Sequence, residues 1–246
     1  MTQLRATRVL VTGATSGLGR AMARALALAG ADVAVTSRDA ARASETAREL
    51  GERVIGLELD VRDEVSGHAA VDAARERLGA VDMLVNNAGI GMRTVNPRFL
   101  SESQPFWAVP PEGFRDVVET KVTGSFLVAS AVVPHMLERG AGRIVNISMN
   151  THTMVRRGFA PYGPAGAAVE ALSRVMAADL VDTPITVNIL LPGGATNTGM
   201  IPADTPAEVR DGLLHPAVMG PPIVWLASSA ADGVRDQRIV ATEFDR

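Results

Sequence analysis

The chain of 246 residues has no cysteine, one lysine, one tyrosine and only 4% aromatic residues. Without cysteine there is no disulfide framework, no Cys-ligated zinc site and no thiol nucleophile. With Lys121 the sole lysine, the 24 basic side chains are almost all arginine, and acidic residues bring the net charge to -3. No basic stripe of the kind that neutralises a phosphate backbone runs through the sequence, so nucleic acid is not an expected partner. Long hydrophobic runs are missing too. The longest, 126–134, is too short to cross a bilayer, and the chain passes from Met1 into polar residues and a strand without a signal-peptide pattern. A cytoplasmic protein with no membrane partner is expected.

What is present is 47% apolar residues, enough at this length for the core of a single domain. Short β-branched runs at 8–12, 32–36, 53–59, 81–86, 143–148, 185–191 and 238–241 alternate with Ala-rich segments of helical period at 18–29, 40–50, 64–78, 111–138, 163–181 and 216–227. Strands so little interrupted by polar residues suit a parallel sheet covered on both faces, and the alternation gives a doubly wound α/β fold. Gly30, Gly51 and Gly79 each follow a helical segment, where a left-handed residue ends a helix. Two connections, 89–111 and 192–214, are too long for ordinary turns. Such loops usually carry function, and these follow the fourth and sixth strands, at the edge where open α/β sheets bind ligands.

The first strand ends in Thr12-Gly13-Ala14-Thr15-Ser16-Gly17-Leu18-Gly19 and opens a helix. A tight glycine turn, close backbone approach and free amides at a helix N-terminus make a cradle for a pyrophosphate. This segment resembles the TGxxxGxG motif of the short-chain dehydrogenase/reductase family. Asn86-Asn87-Ala88-Gly89 resembles that family's NNAG motif, and Asp60-Val61, Val187-Asn188 and Pro192-Gly193 match it in order and approximate spacing. The resemblance covers nearly the whole chain. It implies a Rossmann-type sheet, hydride transfer between a nicotinamide cofactor and a carbonyl or alcohol substrate, and a homodimer or homotetramer built on the helices around 114–138 and 163–181. Those apolar helix faces could instead simply cover the sheet.

The same resemblance implies a cofactor site. Gly13, Thr15, Ser16, Gly17, Leu18 and Gly19 would surround the pyrophosphate, and Pro192 and Gly193 would join the site from beyond the sixth strand. Asp60 would accept from the adenine amino group, Val61 would pack on the adenine, and Asn87, Ala88 and Gly89 would line the adenosine ribose. Asn86 and Asn87 could also tie neighbouring strands together, and both roles are compatible. Cofactor choice is read at the end of the second strand, where an acid favours NAD and an arginine favours NADP. Here stand Thr36-Ser37-Arg38, with Asp39 placed to cap the next helix. Ser37 and Arg38 favour NADP, with NAD as the alternative if Arg38 is merely solvated.

The family's chemistry uses a tyrosine as acid/base, a lysine one helical turn later, a serine that orients the substrate oxygen, and an asparagine on the preceding long helix. Tyr162 stands at the tyrosine position. The lysine position is Gly166, the serine position is Met149 and the asparagine position is Lys121. An unassisted phenol, with a pKa near 10, is ionised only about one part in a thousand at neutral pH, and losing a lysine that lowered it by two or three units costs roughly 3 to 4 kcal/mol. Neutral tyrosine can still donate a proton. Lys121 could supply the missing cation from the opposite helix, or be one solvent-facing lysine in an arginine-rich chain. For the missing serine the candidates are Ser148, Asn150, Thr151, His152 and Thr153. Ser148 would face away by strand alternation unless the strand ends there. His68, His135 and His215 have no metal-like spacing, and no metal site is expected.

The substrate side would be walled by Met92, Phe99, Phe106, Trp107, Met154, Phe159, Met200 and Ile201, with Arg93, Arg156 and Arg157 nearby. An apolar pocket with a cationic corner suits a bulky ketone or alcohol that carries a carboxylate. Phe106 and Trp107 could equally pack their loop onto the body or meet another subunit. With three of four catalytic positions replaced, the alternative to an enzyme is a catalytically silent dinucleotide-binding protein of this fold.

Overall fold

A computed structural model describes residues 3–245. Among them, strands β1 (Arg8–Val11), β2 (Asp32–Ser37), β3 (Val54–Glu58), β4 (Met83–Asn86), β5 (Gly142–Ile147), β6 (Ile185–Leu191) and β7 (Arg238–Val240) form one parallel sheet in the order β3-β2-β1-β4-β5-β6-β7. The helices are α1 (Gly17–Leu28), α2 (Ala40–Leu50), α3 (Glu64–Leu78), α4 (Pro111–Val118), α5 (Gly124–Arg139), α6 (Thr151–Met154), α7 (Tyr162–Asp179), α8 (Ala207–Asp211) and α9 (Gly220–Ala227). The expected doubly wound topology is present. The strand order reverses between β1 and β4, which opens a crevice at the carboxyl ends of those strands.

Period-two alternation distributes each strand between two cores. Val9, Val11, Val33, Val35, Met83 and Val85 pack against Met22 and Leu26 of α1 and Ile223 and Leu226 of α9. Leu10, Ala34, Leu84, Ile144 and Val187 turn the other way, onto Ala70 and Val71 of α3 and Val128, Val132 and Met136 of α5. Every strand but the edges is therefore buried on both faces, which is why the strands read as continuous apolar runs.

The structure departs from the sequence expectations in three places. The helix expected over 111–138 runs on from Pro111 to Arg139, but it carries a π-helical turn at Glu119–Thr123 between α4 and α5. The whole run Pro111–Arg139 is long and apolar enough to cross a membrane by length and composition, which the stretch 126–134 alone did not reveal. In the fold its apolar side packs onto the sheet. The two long loops also carry structure: 3-10 turns at Met92–Thr94 and Phe106–Ala108 in the first, and α8 in the second.

A polar tie crosses this apolar interior. Asn86 Nδ2 donates to Asn146 Oδ1 at 2.9 Å and to the Ser125 carbonyl at 3.2 Å, and Asn146 Nδ2 donates to Ser173 Oγ at 2.7 Å. Ser173 in turn donates to the Val169 carbonyl. β4, β5, α5 and α7 are thus held at one relative height by bonds made inside the protein. Replacing Asn146 strands a donor and an acceptor away from water, at about 1 to 3 kcal/mol for each unsatisfied group. We expect Asn146→Ala to lower unfolding stability by about 3 kcal/mol, read as a shifted denaturant midpoint with an unchanged slope.

Candidate active site

The turn after β1 and the turn after β4 meet backbone to backbone. A Cβ at Gly13 would lie 2.8 Å from Ala88 Cα, and one at Gly19 would lie 2.3 Å from Asn87 Nδ2, so only glycine fits at either place. Asn87 Nδ2 donates to the carbonyls of Thr12 (2.9 Å) and Gly13 (3.0 Å), while Thr12 Oγ1 accepts from the amides of Asn87 and Ala88, each at 3.0 Å. Gly13 N donates to Thr36 Oγ1, fastening the turn to β2 as well. α1 then starts behind Ser16, which is extended and makes no side-chain cap bond, so the first helical amides have no protein acceptor among the described residues. An uncapped helix start behind a glycine turn of positive φ at Gly13 (62°) and Gly17 (56°) fits a dinucleotide pyrophosphate. Thr15, Ser16 and Leu18 lie on the same turn. The structural roles of Thr12 and Thr36 have no sequence signal beyond their hydroxyls at strand ends.

Asp60 and Val61, expected to meet an adenine, lie beyond the end of β3. Asp60 is gripped by Arg62, whose Nε and Nη2 reach Oδ1 at 3.1 Å and Oδ2 at 2.8 Å. That hydrogen bonding holds the Asp60 carboxyl below its usual range. Val61 is buried and its side chain fills the space in front of Gly124, where a Cβ would come within 2.7 Å. Ser37 Oγ accepts from Asp39 N, and Asp39 caps α2 by accepting from Arg42 N. Arg38 is exposed and makes no ion pair or hydrogen bond among the described residues.

Lys121 and Tyr162 come from elements packed face to face. The π turn directs Lys121 inward, where it is 8% exposed, its stem against Gly89, with Nζ 3.4 Å from the position of a Cβ there. Its Nζ stands 5.2 Å from the centroid of the Tyr162 ring, at the first residue of α7. π turns widen a helix locally and recur at functional sites, and this one faces the chain's only lysine into the crevice. Burial pushes the Lys121 amine down to about 8 and pushes the Tyr162 phenol up. No carboxylate pairs with Lys121 among the described residues, so the two groups rest as a cation beside a neutral phenol below pH 8.

The other expected catalytic residue is not brought to this pair. Ser148, just past the end of β5, donates its Oγ to Glu170 Oε1 of α7 at 2.7 Å, where Glu170 also holds Arg238. Asn150 Nδ2 instead donates to the Gly193 carbonyl at 2.9 Å, tying the loop after β5 to the loop after β6. Beyond Pro192 and Gly193 that second loop closes on the crevice. Thr198 lies 3.3 Å from a Cβ at Gly17, Met200 lies 3.1 Å from one at Gly91, and Tyr162 Oη reaches Met200 Sδ at 3.9 Å. Thr198 is invisible in the sequence because nothing local distinguishes it from neighbouring threonines.

Around Tyr162 the wall is apolar. Met92, Phe159 and Ala165 form one cluster with Phe99 and Tyr162, Phe99 and Phe159 meet edge to face at 5.8 Å, and Arg156 stacks on Phe159 at 4.5 Å. Arg93 and Arg157 are exposed. Phe106 and Trp107 do not line this wall. They stack on each other at 5.2 Å and are 72% and 77% exposed.

A dinucleotide cradle, a Tyr/Lys pair and a closing loop at one sheet edge direct attention to the nicotinamide enzymes of this topology. A family model described as short chain dehydrogenase matches residues 7–208. The chain belongs to that family. It is 38% identical over 188 residues to a 2-(R)-hydroxypropyl-CoM dehydrogenase of Xanthobacter autotrophicus, covering 75% of this chain and 72% of the relative. It is 35% identical over 239 residues to a cis-4-hydroxycyclohexanecarboxylate dehydrogenase of Sinomonas cyclohexanicum, covering 92% and 90%. Among solved structures, a 3-ketoacyl-(acyl-carrier-protein) reductase from Brucella melitensis complexed with NADH superposes with a TM-score of 0.84 at 31% identity, covering 97% of each chain. Short-chain dehydrogenases are oxidoreductases that transfer hydride with NAD(H) or NADP(H), on small-molecule substrates.

Within this member of the short-chain dehydrogenases, the buried amine has a measurable cost. Lowering the Lys121 value from 10.5 to about 8 means that the unfolded chain binds the extra proton between those pH values, so stability rises as pH rises through that window. Below pH 8 the folded protein carries the full penalty, about 3 kcal/mol. We expect Lys121→Met to be more stable than wild type by about that amount at pH 7, with the difference closing between pH 8 and 10.5, as measured by urea unfolding across that range.

Proposed function

We propose that the protein is an NADP(H)-preferring reductase of the short-chain family, with Tyr162 as proton donor to a substrate carbonyl oxygen and Lys121 as the cation that stabilises the phenolate left behind. The observation that carries this reading is the sole lysine of the chain held over the ring of its sole tyrosine. A bound nicotinamide supplies the hydride. Tyr162, kept protonated by burial, gives its proton to the carbonyl oxygen as charge develops there. A cation 5.2 Å from the ring centre is within reach of the phenolate charge, and a unit-charge pair about 5 to 6 Å apart at an effective dielectric near 20 is worth roughly 3 kcal/mol. The catalytic role expected for Ser148 is not part of this proposal, because its hydroxyl is spent on Glu170.

Arg38 supports the NADP(H) preference. Its guanidinium makes no hydrogen bond or ion pair among the described residues, stands at the end of β2, and has no acid beside it free to take ribose hydroxyls, since Asp39 is spent on its cap. The apolar wall with Arg156 stacked on Phe159 suits a bulky ketone bearing an anionic group, in keeping with a relative named for a hydroxycyclohexanecarboxylate. A cytoplasmic homo-oligomer completes the reading, by analogy with the family.

The alternative, a silent dinucleotide-binding protein, is favoured by one contact: the Tyr162 hydroxyl is turned to the Met200 thioether. Oxidation of NADPH across a panel of bulky ketones, with and without a carboxylate, separates the two, because a silent protein binds NADPH and oxidises none of it. For the reductase we expect kcat to be flat up to about pH 7.5 and to fall as Lys121 loses its proton near pH 8. Tyr162→Phe should lower kcat by about 100-fold or more, on the order of a full acid/base contribution. Lys121→Met should lower it by roughly 100-fold and abolish the alkaline fall. A second measurement checks the cofactor: Arg38→Ala should weaken NADPH binding about tenfold and leave NADH within about twofold, by fluorescence titration.

A further inference from the structure

Met149 and Gly166 stand at the positions where the family resemblance implies a serine and a lysine, and they touch. A Cβ at Gly166 would lie 2.6 Å from Met149 Cε, 2.9 Å from Sδ and 3.2 Å from Cγ. Three consecutive atoms of one side chain are involved, so swinging the terminal methyl alone would not make room. The whole thioether would have to leave. It is 7% exposed, and Gly166 is buried beneath it in the second turn of α7.

The backbone from which Met149 projects is also held. Arg238 Nη2 donates to the Met149 carbonyl at 2.9 Å, and Arg238 Nε is shared between both oxygens of Glu170 at 3.0 and 3.1 Å. Glu170 lies one turn beyond Gly166 on the same helix and takes the Ser148 hydroxyl at 2.7 Å. The end of β5 is thus fastened to α7 and to β7 by charged groups, and that clamp fixes the backbone from which the Met149 side chain projects. These contacts use Ser148, Glu170 and Arg238 for a purpose that proton transfer at Tyr162 does not require.

We propose that Met149 is a positioning residue that closes position 166: held by the Ser148–Glu170–Arg238 clamp, its thioether fills the space a side chain there would need and leaves Lys121 as the only amine that faces Tyr162. Positions 149 and 166 are one unit of exchange, so an amine can be installed at 166 only when Met149 is shortened in the same molecule. This rests on the reading of Tyr162 and Lys121 as the acid/base pair.

The test is a double-mutant cycle of Met149→Ser and Gly166→Lys in the full-length protein, read by melting temperature and by the ultraviolet titration of the chain's single tyrosine. We expect Gly166→Lys alone to lower the melting temperature and leave the tyrosine midpoint unmoved. The double variant should recover the melting temperature and bring the midpoint down by about one unit, a tenfold gain in phenolate. A midpoint that falls as far in Gly166→Lys alone, or melting temperatures that simply add, overturns the proposal. Should the lysine variant fail to fold, Gly166→Ala asks the same question with the smallest side chain. Alanine normally stabilises a helix interior relative to glycine. Here it should destabilise the protein that retains Met149 and stabilise the one that carries Met149→Ser, and stabilisation in both backgrounds overturns the proposal. Failure of the wild type to reduce any carbonyl would sink the functional reading and leave the outcome of this cycle as it stands.

Discussion

The glycine turn after β1 and the Asn87-Ala88 turn after β4 approach until a single Cβ on Gly13 would collide with Ala88 Cα at 2.8 Å. That approach sets the position of everything else in the site. It is held by the two carbonyls that Asn87 takes and the two amides that Thr12 accepts. On one side it leaves the start of α1 uncapped and facing the crevice. On the other it places Gly89 so close to α5 and the π turn that the stem of Lys121 rests on it. The glycine turn and the amine thus both pack against the same short segment, Ala88 and Gly89.

The second constraint is electrostatic. An ammonium without a carboxylate partner among the described residues is kept in an apolar crevice, at a penalty that other parts of the fold must offset. The asparagine and serine tie joins β4, β5, α5 and α7, the elements around the crevice in which the cation lies over the tyrosine ring. Because burial lowers the amine and raises the phenol, the pair has one proton arrangement over most of the physiological range.

Much of this is legible from local pattern. Apolar runs of strand length alternating with Ala-rich helical segments specify a parallel, doubly wound sheet because both faces must be covered, and the glycine spacing after the first strand specifies a turn that only glycine can make. The residues that resist such reading are those whose partners are remote in sequence. Asn87 reads as a ribose contact or a tie between strands, and what the fold adds is the partner of its amide, the turn 75 residues earlier. Ser148 reads as one candidate stand-in for a missing hydroxyl, and its hydroxyl is spent on Glu170, 22 residues along the chain. Phe106 and Trp107 read as pocket walls, yet they stack on each other in the open.

The sequence by itself determined the topology, the glycine turn after the first strand and the fact that one tyrosine and one lysine are all the chain has to offer for the family's chemistry. Composition and short-range periodicity carry those, because they depend on residues within a turn or a strand of one another. Only the tertiary structure decided that the lysine faces the tyrosine, that the π turn aims it there, and that the thioether of Met149 lies across Gly166. These depend on how α5, α7 and the end of β5 pack together, and no local pattern encodes the distance between side chains on separate elements.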